Sequence, residues 1–382
     1  MRLLRTALSL ALCLLCCRMQ AQLITEKAPE PIQDWIDYIL SWPQPRTDTI
    51  SLYIVGDIMN HQAQINSALR HGKPDYSTFL YHIRDKVDSA DIAICNMEYT
   101  LAGPPYSGYP SFCAPDEYTV YLRDLGFDVL LTANNHILDK GYKGLSRTFA
   151  VLDTLKGVQY TGMSRNQSED RSRYPLMLEC KGMRIAIINF TYNTNRRPTQ
   201  NWPKINYMVD EDILAAMNRA KENGADLILA FPHWGTEYKF IHNQVQENYA
   251  RLLIDNGANA VIGGHPHFVQ DMEWMGDVPV FYSLGDVVSN MDRECSRLGL
   301  AVNLDIILKS GEKPRIAISG VEYLWNSRPG EVEESFSSLP IRKFLDSGLW
   351  RNKDAYLTMK GAYETTRNST HIHEEDFEAG SR

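Results

Sequence analysis

The sequence predicts an α/β fold with mixed sheets. From residue 50 onward, short apolar runs rich in β-branched residues alternate with segments of helical periodicity, which is typical of parallel strands linked by helices. Two later pairs of strands are joined by short turns at Lys181-Gly182 and Ser310-Gly311, which predicts antiparallel hairpins beside the parallel strands. Several strands also end in polar residues, which indicates a binding site at one edge of a sheet.

Composition is that of an ordinary globular protein. The chain has 382 residues, of which 44% are hydrophobic and 23% charged, so disordered, collagen-like and coiled-coil structures are excluded. Its net charge is −8, and no long run of basic residues is present. Because nucleic-acid binders neutralise phosphates with clustered Lys and Arg, no nucleic-acid partner is expected.

The first 21 residues have the pattern of a secretory signal peptide. Two arginines precede an uncharged stretch at 6–17, and Ala21 offers a small residue for cleavage. Export to the periplasm or cell surface is therefore expected, and removal of 1–21 would take three arginines and change the charge to −11. The alternatives are a buried N-terminal helix and a lipid anchor at Cys17.

Residues 22–49 carry four prolines around a short helical candidate at 34–40, and are predicted to be a linker or docking arm. Strands are then predicted at 50–55, 91–95, 127–131, 184–190, 226–231, 259–262, 278–284, 298–308 and 315–324. Helices are predicted at 65–70, 79–87, 116–125, 145–155, 210–222 and 243–255. These elements form one predicted domain over 50–326, followed by a C-terminal extension at 327–382 that ends in a frayed acidic tail.

Four cysteines remain beyond residue 21, at Cys95, Cys113, Cys180 and Cys295. In an oxidising compartment they could form two disulfides. The alternative is four free thiols, mostly buried, as is common in a chain with a large core.

Polar residues that can bind a metal follow five of the strands. They are Asp57, Glu98, the pair Asn135 and His136, His233, and the pair His265 and His267. Taken singly, each has a simpler explanation: Asp57 as a turn residue, His136 as a satisfied buried histidine, His233 as a packing partner of Trp234. Because the carboxyl ends of parallel strands share one edge of a sheet, their joint occurrence predicts a metal site with oxygen and imidazole ligands.

The same positions resemble the CapA-type capsule biosynthesis family, which belongs to the calcineurin-like metallophosphoesterase superfamily. The matching motifs are Gly56-Asp57-Ile58-Met59, Asn96-Met97-Glu98, Ala133-Asn134-Asn135-His136-Ile137-Leu138-Asp139-Lys140-Gly141, His233-Trp234-Gly235-Thr236-Glu237, Gly264-His265-Pro266-His267 and Tyr282-Ser283-Leu284-Gly285-Asp286. The family is named for making or exporting poly-γ-glutamate capsule. The resemblance implies a four-layer α/β/β/α metallophosphoesterase-like sandwich with two divalent metal ions, of Mn, Fe or Zn.

The resemblance also implies residue roles. Asp57 and His267 would bind the first metal, Glu98 would bridge, Asn135, His233 and His265 would complete the second metal, and His136 would act as acid or positioning residue. Two departures stand out: the histidine of the superfamily's Asp-x-His motif is Met59 here, with His61 as a substitute ligand nearby, and the Glu98 motif replaces the second Asp.

A two-metal site of this kind would activate water for attack on a phosphoester or a γ-glutamyl amide, with His136 protonating the leaving group. Asp139 or Glu237 would hold an imidazole in its productive tautomer; the alternative is that both cap helices. Two other functions are a non-catalytic capsule assembly factor that binds polymer carboxylates, and an export or adhesion module. The expected partners are an anionic polymer or phosphoester substrate, drawn in locally by Arg196 and Arg197, and membrane-bound capsule synthesis machinery.

Overall fold

The computed structural model describes residues 47–69, 72–309 and 311–378. The predicted signal peptide at 1–21 and most of the arm at 22–49 lie outside these residues, although the last three residues of that arm belong to the first strand. The chain divides into two compact units, and the larger one, with residues 49–307 and 314–382, contains every site residue discussed below. The smaller unit consists of 1–48 and 308–313.

Sixteen strands lie in the described ranges. They are β1 (Thr47–Ile58), β2 (Ile92–Met97), β3 (Val129–Leu131), β4 (Gln159–Thr161), β5 (Met163–Ser164), β6 (Leu176–Cys180), β7 (Met183–Thr191), β8 (Lys204–Ile205), β9 (Leu227–His233), β10 (Ala260–Ile262), β11 (Met272–Met275), β12 (Val278–Phe281), β13 (Asp286–Val288), β14 (Leu298–Lys309), β15 (Arg315–Ser327) and β16 (Ser337–Pro340). The strand predicted at 278–284 ends earlier, at Phe281 of β12, and β13 is a separate strand that begins at Asp286, after Gly285 has turned the chain at a φ of 62°.

Nine α-helices accompany these strands in the same ranges. They are α1 (Gln62–Ala68), α2 (Arg84–Ser89), α3 (Asp116–Leu125), α4 (Gly141–Leu152), α5 (Gln167–Arg173), α6 (Asp210–Glu222), α7 (Gln244–Asp255), α8 (Ile341–Phe344) and α9 (Lys353–Thr370). Short 3₁₀ turns lie at Tyr81–Ile83, Glu294–Arg297 and Glu374–Phe377. The predicted bounds of α3 and α6 are confirmed, whereas the helix predicted at 79–87 is a 3₁₀ turn followed by α2.

Local sequence explains where the best-defined helices begin and end. Helix α3 stops at Gly126, which adopts a left-handed φ of 113° that other residues rarely take. Helix α7 starts with a capping box in which the Asn243 side chain accepts from backbone amides and the Gln246 side chain returns to the Asn243 amide. These caps set the residue at which α3 ends and the residue at which α7 begins.

Two large mixed sheets form the centre of the fold. In the first sheet the order is β16-β15-β14-β1-β2-β3-β4, with β13 paired to β1, and β1 to β4 run parallel. In the second sheet the order is β11-β12-β10-β9-β7-β6, with parallel strands in the middle and antiparallel strands at both edges. The two predicted hairpins, β6–β7 and β14–β15, are confirmed as antiparallel pairs.

The sheets pack face to face, with helices on their outer faces. Alternate residues of β1, such as Tyr53, share one core cluster with Leu122 of α3, and alternate residues of β7, such as Ile188, share another with Leu253 of α7. The opposite faces meet in the middle, where Asn189 of β7 accepts from the backbone amides of Thr132 and Ala133 after β3, at 3.1 and 2.8 Å. The fold is therefore the four-layer α/β/β/α sandwich that was expected.

The C-terminal part differs from the prediction of a separate extension with a frayed tail. Strand β16 pairs with β15, so the predicted boundary at residue 326 falls inside the first sheet. Glu374 is buried and accepts from the Tyr323 amide at 3.0 Å and from the Tyr363 hydroxyl. The prediction of a frayed tail was based on the acidic residues near the C-terminus. It is wrong for Glu374, because this carboxylate accepts hydrogen bonds from the protein instead of from water.

The structure also answers two smaller questions. The four cysteines beyond residue 21 are all free thiols, and Cys95 and Cys113 are buried, so the alternative without disulfides is confirmed. Among the described residues, no helix combines the length and apolar character needed to cross a membrane.

Candidate metal centre

The site is built around Asp57, at the end of the central strand β1. In the sheet register Asp57 stands between Asn96 of β2 and Asp286 of β13. Its side chain is fully buried, and its two oxygens accept from Asn96 Nδ2 at 2.7 Å and from the His265 amide at 3.0 Å. A central parallel strand thus presents a fixed carboxylate at the edge where ligands bind in sheets of this type.

Two groups of metal-binding side chains share Asp57. The first contains Asp57, His267 and Asp286, and the second contains Asp57, Glu98 and His233; within each, one ligand atom per residue lies within 4.8 Å of the others. All five side chains are buried. Asp57 is the residue that the two groups share, whereas the resemblance gave the bridging role to Glu98.

The individual distances define each group. His267 Nδ1 lies 2.8 Å from Asp286 Oδ1 and 4.0 Å from Asp57 Oδ2. His233 Nε2 lies 3.7 Å from Glu98 Oε1, and its Nδ1 lies 4.0 Å from Asp57 Oδ1. In each group, imidazole nitrogens and carboxylate oxygens therefore lie close enough together to be ligands of one metal ion.

Buried polar atoms without partners show that the residues fit a metal. Both oxygens of Glu98, Nδ1 of His265 and Oδ2 of Asp286 are buried and make no hydrogen bond with any described residue. An unpaired buried carboxylate costs free energy that a cation would offset. The two groups offer carboxylate and imidazole ligands and no thiolate, which is a ligand set that suits Mn, Fe or Zn.

Burial and mutual charge shift the pKa values in the directions expected of carboxylates and imidazoles clustered out of contact with water. Burial, with the nearby charge of Asp286, raises the pKa of Asp57 to about 6. Burial, with the charges of Asp57 and Asp286, raises the pKa of Glu98. Burial also lowers the pKa of His233 and of His265, which keeps both imidazoles neutral and able to bind a metal.

His267 behaves differently from the other two histidines. Its burial alone would lower its pKa, but the carboxylate of Asp286 overrides this effect and raises the pKa to about 9. A cation in the site would displace this proton.

The two remaining predicted ligands lie beside the second group. Asn135 Oδ1 is 2.9 Å from His233 Nε2, and the His265 ring centre is 4.9 Å from that of His233. In the stretch His265-Pro266-His267 the backbone is left-handed at both histidines, with a φ of 98° at His265 and of 56° at His267. Left-handed backbone at two non-glycine site residues is strain of the kind that functional sites store.

His136 and Asp139 form a pair at the edge of the site. His136 Nδ1 lies 2.7 Å from Asp139 Oδ2, and the edge of Phe112 packs against the His136 ring at 4.6 Å between centres. Asp139 does not cap α4, whose N-cap Lys140 makes no side-chain cap bond. Glu237 is exposed and does not cap α7, whose N-cap is Asn243, so the capping alternative is wrong for both residues.

The departure at Met59 is now explained in structural terms. Met59 is buried in the core cluster on the helix side of the first sheet, so it offers no ligand to the site. His61 lies outside both ligand groups; it is the N-cap residue of α1, where its amide donates to Gln64 Oε1 at 2.7 Å, and its Nδ1 accepts from the Asn290 amide at 3.2 Å. Burial lowers the pKa of His61 to about 4.

Sequence reasoning missed two residues of the site. Asp286 opens β13 inside the recognised Tyr-Ser-Leu-Gly-Asp motif, and Asn96 directly precedes Met97-Glu98. Asn96 lies near the carboxyl end of β2, which is the same signal that identified Asp57. Asp286 is the first residue of β13, a strand that the sequence did not predict, so its signal was its place in that motif.

Solved structures and curated relatives place these observations in context. The calcineurin-like phosphoesterase YfkN from Bacillus subtilis aligns over 86% of this chain and 100% of its own, at 14% identity and a TM-score of 0.43. The capsule biosynthesis protein CapA of Bacillus anthracis is 27% identical over 63% of this chain and 60% of its own length. The PGA biosynthesis protein CapA of Bacillus subtilis is 27% identical over 62% of each chain.

The chain therefore spans about three fifths of the length of the curated relatives it matches. The family model of the bacterial capsule synthesis protein PGA_cap matches residues 51–291, which is more than half of the chain and includes all of the predicted site residues. With the fold and the strand-end motifs already in place, this chain belongs to the PGA_cap family of bacterial capsule synthesis proteins.

Proposed function

We infer that this protein is a metal-dependent hydrolase of capsule or poly-γ-glutamate synthesis, acting on a phosphoester or a γ-glutamyl amide. The observation that carries this inference is the pair of buried ligand groups sharing Asp57, next to the His136–Asp139 pair. A site built only to stabilise the fold would not need an oriented imidazole beside it.

Two divalent ions would be held by the two groups. Asp57, His267 and Asp286 would bind one ion, and Asp57, Glu98 and His233 the other, with Asn135 and His265 completing the second set. The chemistry that such ions supply when bound is acidification of a water and neutralisation of charge developing on the substrate oxygens.

The side chains of the protein do the rest. Asp139 accepts the Nδ1 proton of His136, so Nε2 is left to exchange a proton with the leaving group. Asn96 holds the Asp57 carboxylate by a 2.7 Å hydrogen bond, and Phe112 limits rotation of the His136 ring. These contacts orient the reacting groups before substrate arrives.

A non-catalytic assembly factor is the second candidate. It is favoured by Met59, which places an apolar side chain in the core where the superfamily motif has a metal-binding histidine. In that case the same cation site would bind carboxylates of the polymer. Export to the periplasm or cell surface, an anionic polymer or phosphoester as ligand, and contact with membrane-bound capsule machinery are part of either proposal.

The test is a hydrolysis screen on the metal-loaded full chain, with phosphoesters and γ-glutamyl amides as substrates. His136→Ala is expected to lower kcat by about 10²-fold or more while the bound metal is retained, because a general acid contributes on that order. The exposed His371→Asn is the matched control and is expected to keep full activity. Absence of hydrolysis by the wild type with metal bound would favour the assembly factor.

A further inference from the structure

The residues after β7 form a short segment that lies directly on the candidate site. This segment, residues 192–197, begins where the Tyr192 amide donates to the His233 carbonyl at 2.9 Å. The Tyr192 ring packs on His265 at 4.5 Å between ring centres. The first residue of the segment is therefore in contact with two histidines of the site, His233 and His265.

The other half of the segment reaches the His136 side. The Asn195 amide donates to the Asn135 carbonyl at 2.8 Å, and Asn195 Nδ2 lies 3.3 Å from His136 Nδ1 and 3.4 Å from its Nε2. His136 is buried, whereas Asn195 is exposed. Asn195 therefore lies between the His136 ring and solvent.

Hydrogen bonds within and around the segment fix its shape. Thr194 Oγ1 donates to the Arg196 carbonyl at 2.9 Å and lies 2.8 Å from the Tyr207 hydroxyl. Thr191 Oγ1 donates to the Asn193 carbonyl at 2.9 Å. These hydrogen bonds hold the backbone of the segment at Asn193 and Arg196.

The segment carries positive charge in an acidic protein. Arg196 and Arg197 are both exposed, and neither forms an ion pair with an acidic group in the described part of the chain. The Arg196 guanidinium lies 3.2–3.5 Å from the position a Cβ on Gly141 would take, two residues after Asp139. Since the chain has a net charge of −8, this local charge opposes the overall field.

A further cation lies on the opposite side of the site. Arg293 stacks on the Tyr238 ring at 4.1 Å from its centre, and that ring is 6.2 Å from the His267 ring. The Tyr238 amide donates to the Pro266 carbonyl at 2.8 Å, which ties it to the His265-Pro266-His267 turn. Exposed guanidinium groups therefore flank the site from both sheets.

We propose that the 192–197 segment selects substrates that carry a second anionic group, which Arg196 and Arg197 receive on the His136 side. This inference rests on the proposed function of the same site. The second anion is a carboxylate in a γ-glutamyl chain or an acid group remote from the scissile bond in a phosphoester. Guanidinium groups recognise both through paired hydrogen bonds.

The test compares substrates that differ in one remote charge. One pair is 3-phosphoglycerate and glycerol 3-phosphate; the other is γ-glutamyl p-nitroanilide and its α-carboxamide. The double variant Arg196→Gln/Arg197→Gln is expected to raise KM about five- to tenfold for the member with the remote carboxylate, while its kcat and the KM of the member without that carboxylate change less than about twofold. Added salt should also reduce the wild-type preference for the substrate with the remote carboxylate, because salt screens its attraction to the two arginines.

The control is Arg171→Gln/Arg315→Gln, which removes two exposed arginines that make no contact with the site. An equal change for both members of a pair, or no change, would overturn the inference while leaving the proposed hydrolase intact. If the metal-loaded wild type hydrolyses neither pair, the proposed function fails first. The same compounds are then compared as ligands by calorimetry, and equal binding of the members with and without the remote carboxylate overturns the inference as well.

Discussion

At the scale of single residues, Glu98 best separates a metal site from an ordinary polar core. Its carboxylate is fully buried and has no hydrogen-bond partner among the described residues. Burial and the charges of Asp57 and Asp286 raise the pKa of Glu98. The folded metal-free protein therefore loses stability at any pH at which this carboxyl group ionises. The sequence offers no hint of this cost, since Glu98 reads as one more strand-end carboxylate.

Glu98→Gln is therefore expected to stabilise the metal-free protein at about pH 7.5, by about 1–3 kcal/mol, and to remove most of the stabilisation by added Mn or Zn. The gain should be largest above the raised folded pKa and should vanish below the ordinary value of 4.5, where the carboxyl is protonated in both the folded and the unfolded state. Thermal unfolding with and without metal measures both effects. A Glu98→Gln protein that is less stable than wild type without metal would show that the carboxylate has a structural partner.

At the scale of elements, the junction between β1 and β13 sets the geometry of the site. The Asp57 amide donates to the Gly285 carbonyl at 2.9 Å, and a Cβ on Gly56 would stand only 2.0 Å from that carbonyl oxygen. The backbones approach this closely because position 56 has no side chain. Asp57 and Asp286 are brought together by this contact.

Gly56→Ala is accordingly expected to lose at least about 3 kcal/mol of unfolding free energy and most of the metal affinity, because the β1–β13 contact must open. Gly361→Ala in α9, where a Cβ would meet nothing within 4 Å, is the control and should be neutral or slightly stabilising. Urea unfolding measures the stability and metal titration the affinity. Equal stability of the two variants would contradict the role of the junction.

Helices and strands were predictable where the hydrophobic periodicity was strong, as in α3 and α6. They were less predictable where a turn determines the point at which a strand ends. The break between β12 and β13 at Gly285 and the left-handed backbone of His265 depend on tertiary contacts that no local pattern contains. The order of strand-end residues located Asp57, Glu98 and His233. It could not show that Asp57 is shared by both ligand groups, because that depends on how the two sheets face each other.

At the scale of the whole molecule, the C-terminal residues complete the first sheet rather than extend from it. Strand β16 pairs with β15, Phe344 and Met359 are buried, and Glu374 joins Tyr323 to Tyr363. Composition alone suggested the opposite, because an acidic stretch near the terminus usually lies in solvent. Long-range pairing of this kind is invisible in a single sequence.

Truncation after Ser327 is therefore expected to abolish cooperative unfolding, since it exposes the apolar face that β16, α8 and α9 cover. As a milder test, Glu374→Ala should cost about 1–3 kcal/mol because it leaves the Tyr363 hydroxyl and the Tyr323 amide without their partner. The exposed Glu364→Ala on α9 is its control, with little expected change. A truncated chain that still unfolds cooperatively would restore the separate-extension hypothesis.

The most direct measurement is the metal content of the purified full chain, read by elemental analysis after loading with Mn, Fe or Zn. The shared position of Asp57 predicts about two ions per wild-type chain, about one in Asp286→Ala, and a loss of both in Asp57→Asn. The thermal stabilisation by metal should fall in the same order. Two ions retained by Asp57→Asn, or none bound by the wild type, would contradict a two-metal site centred on Asp57.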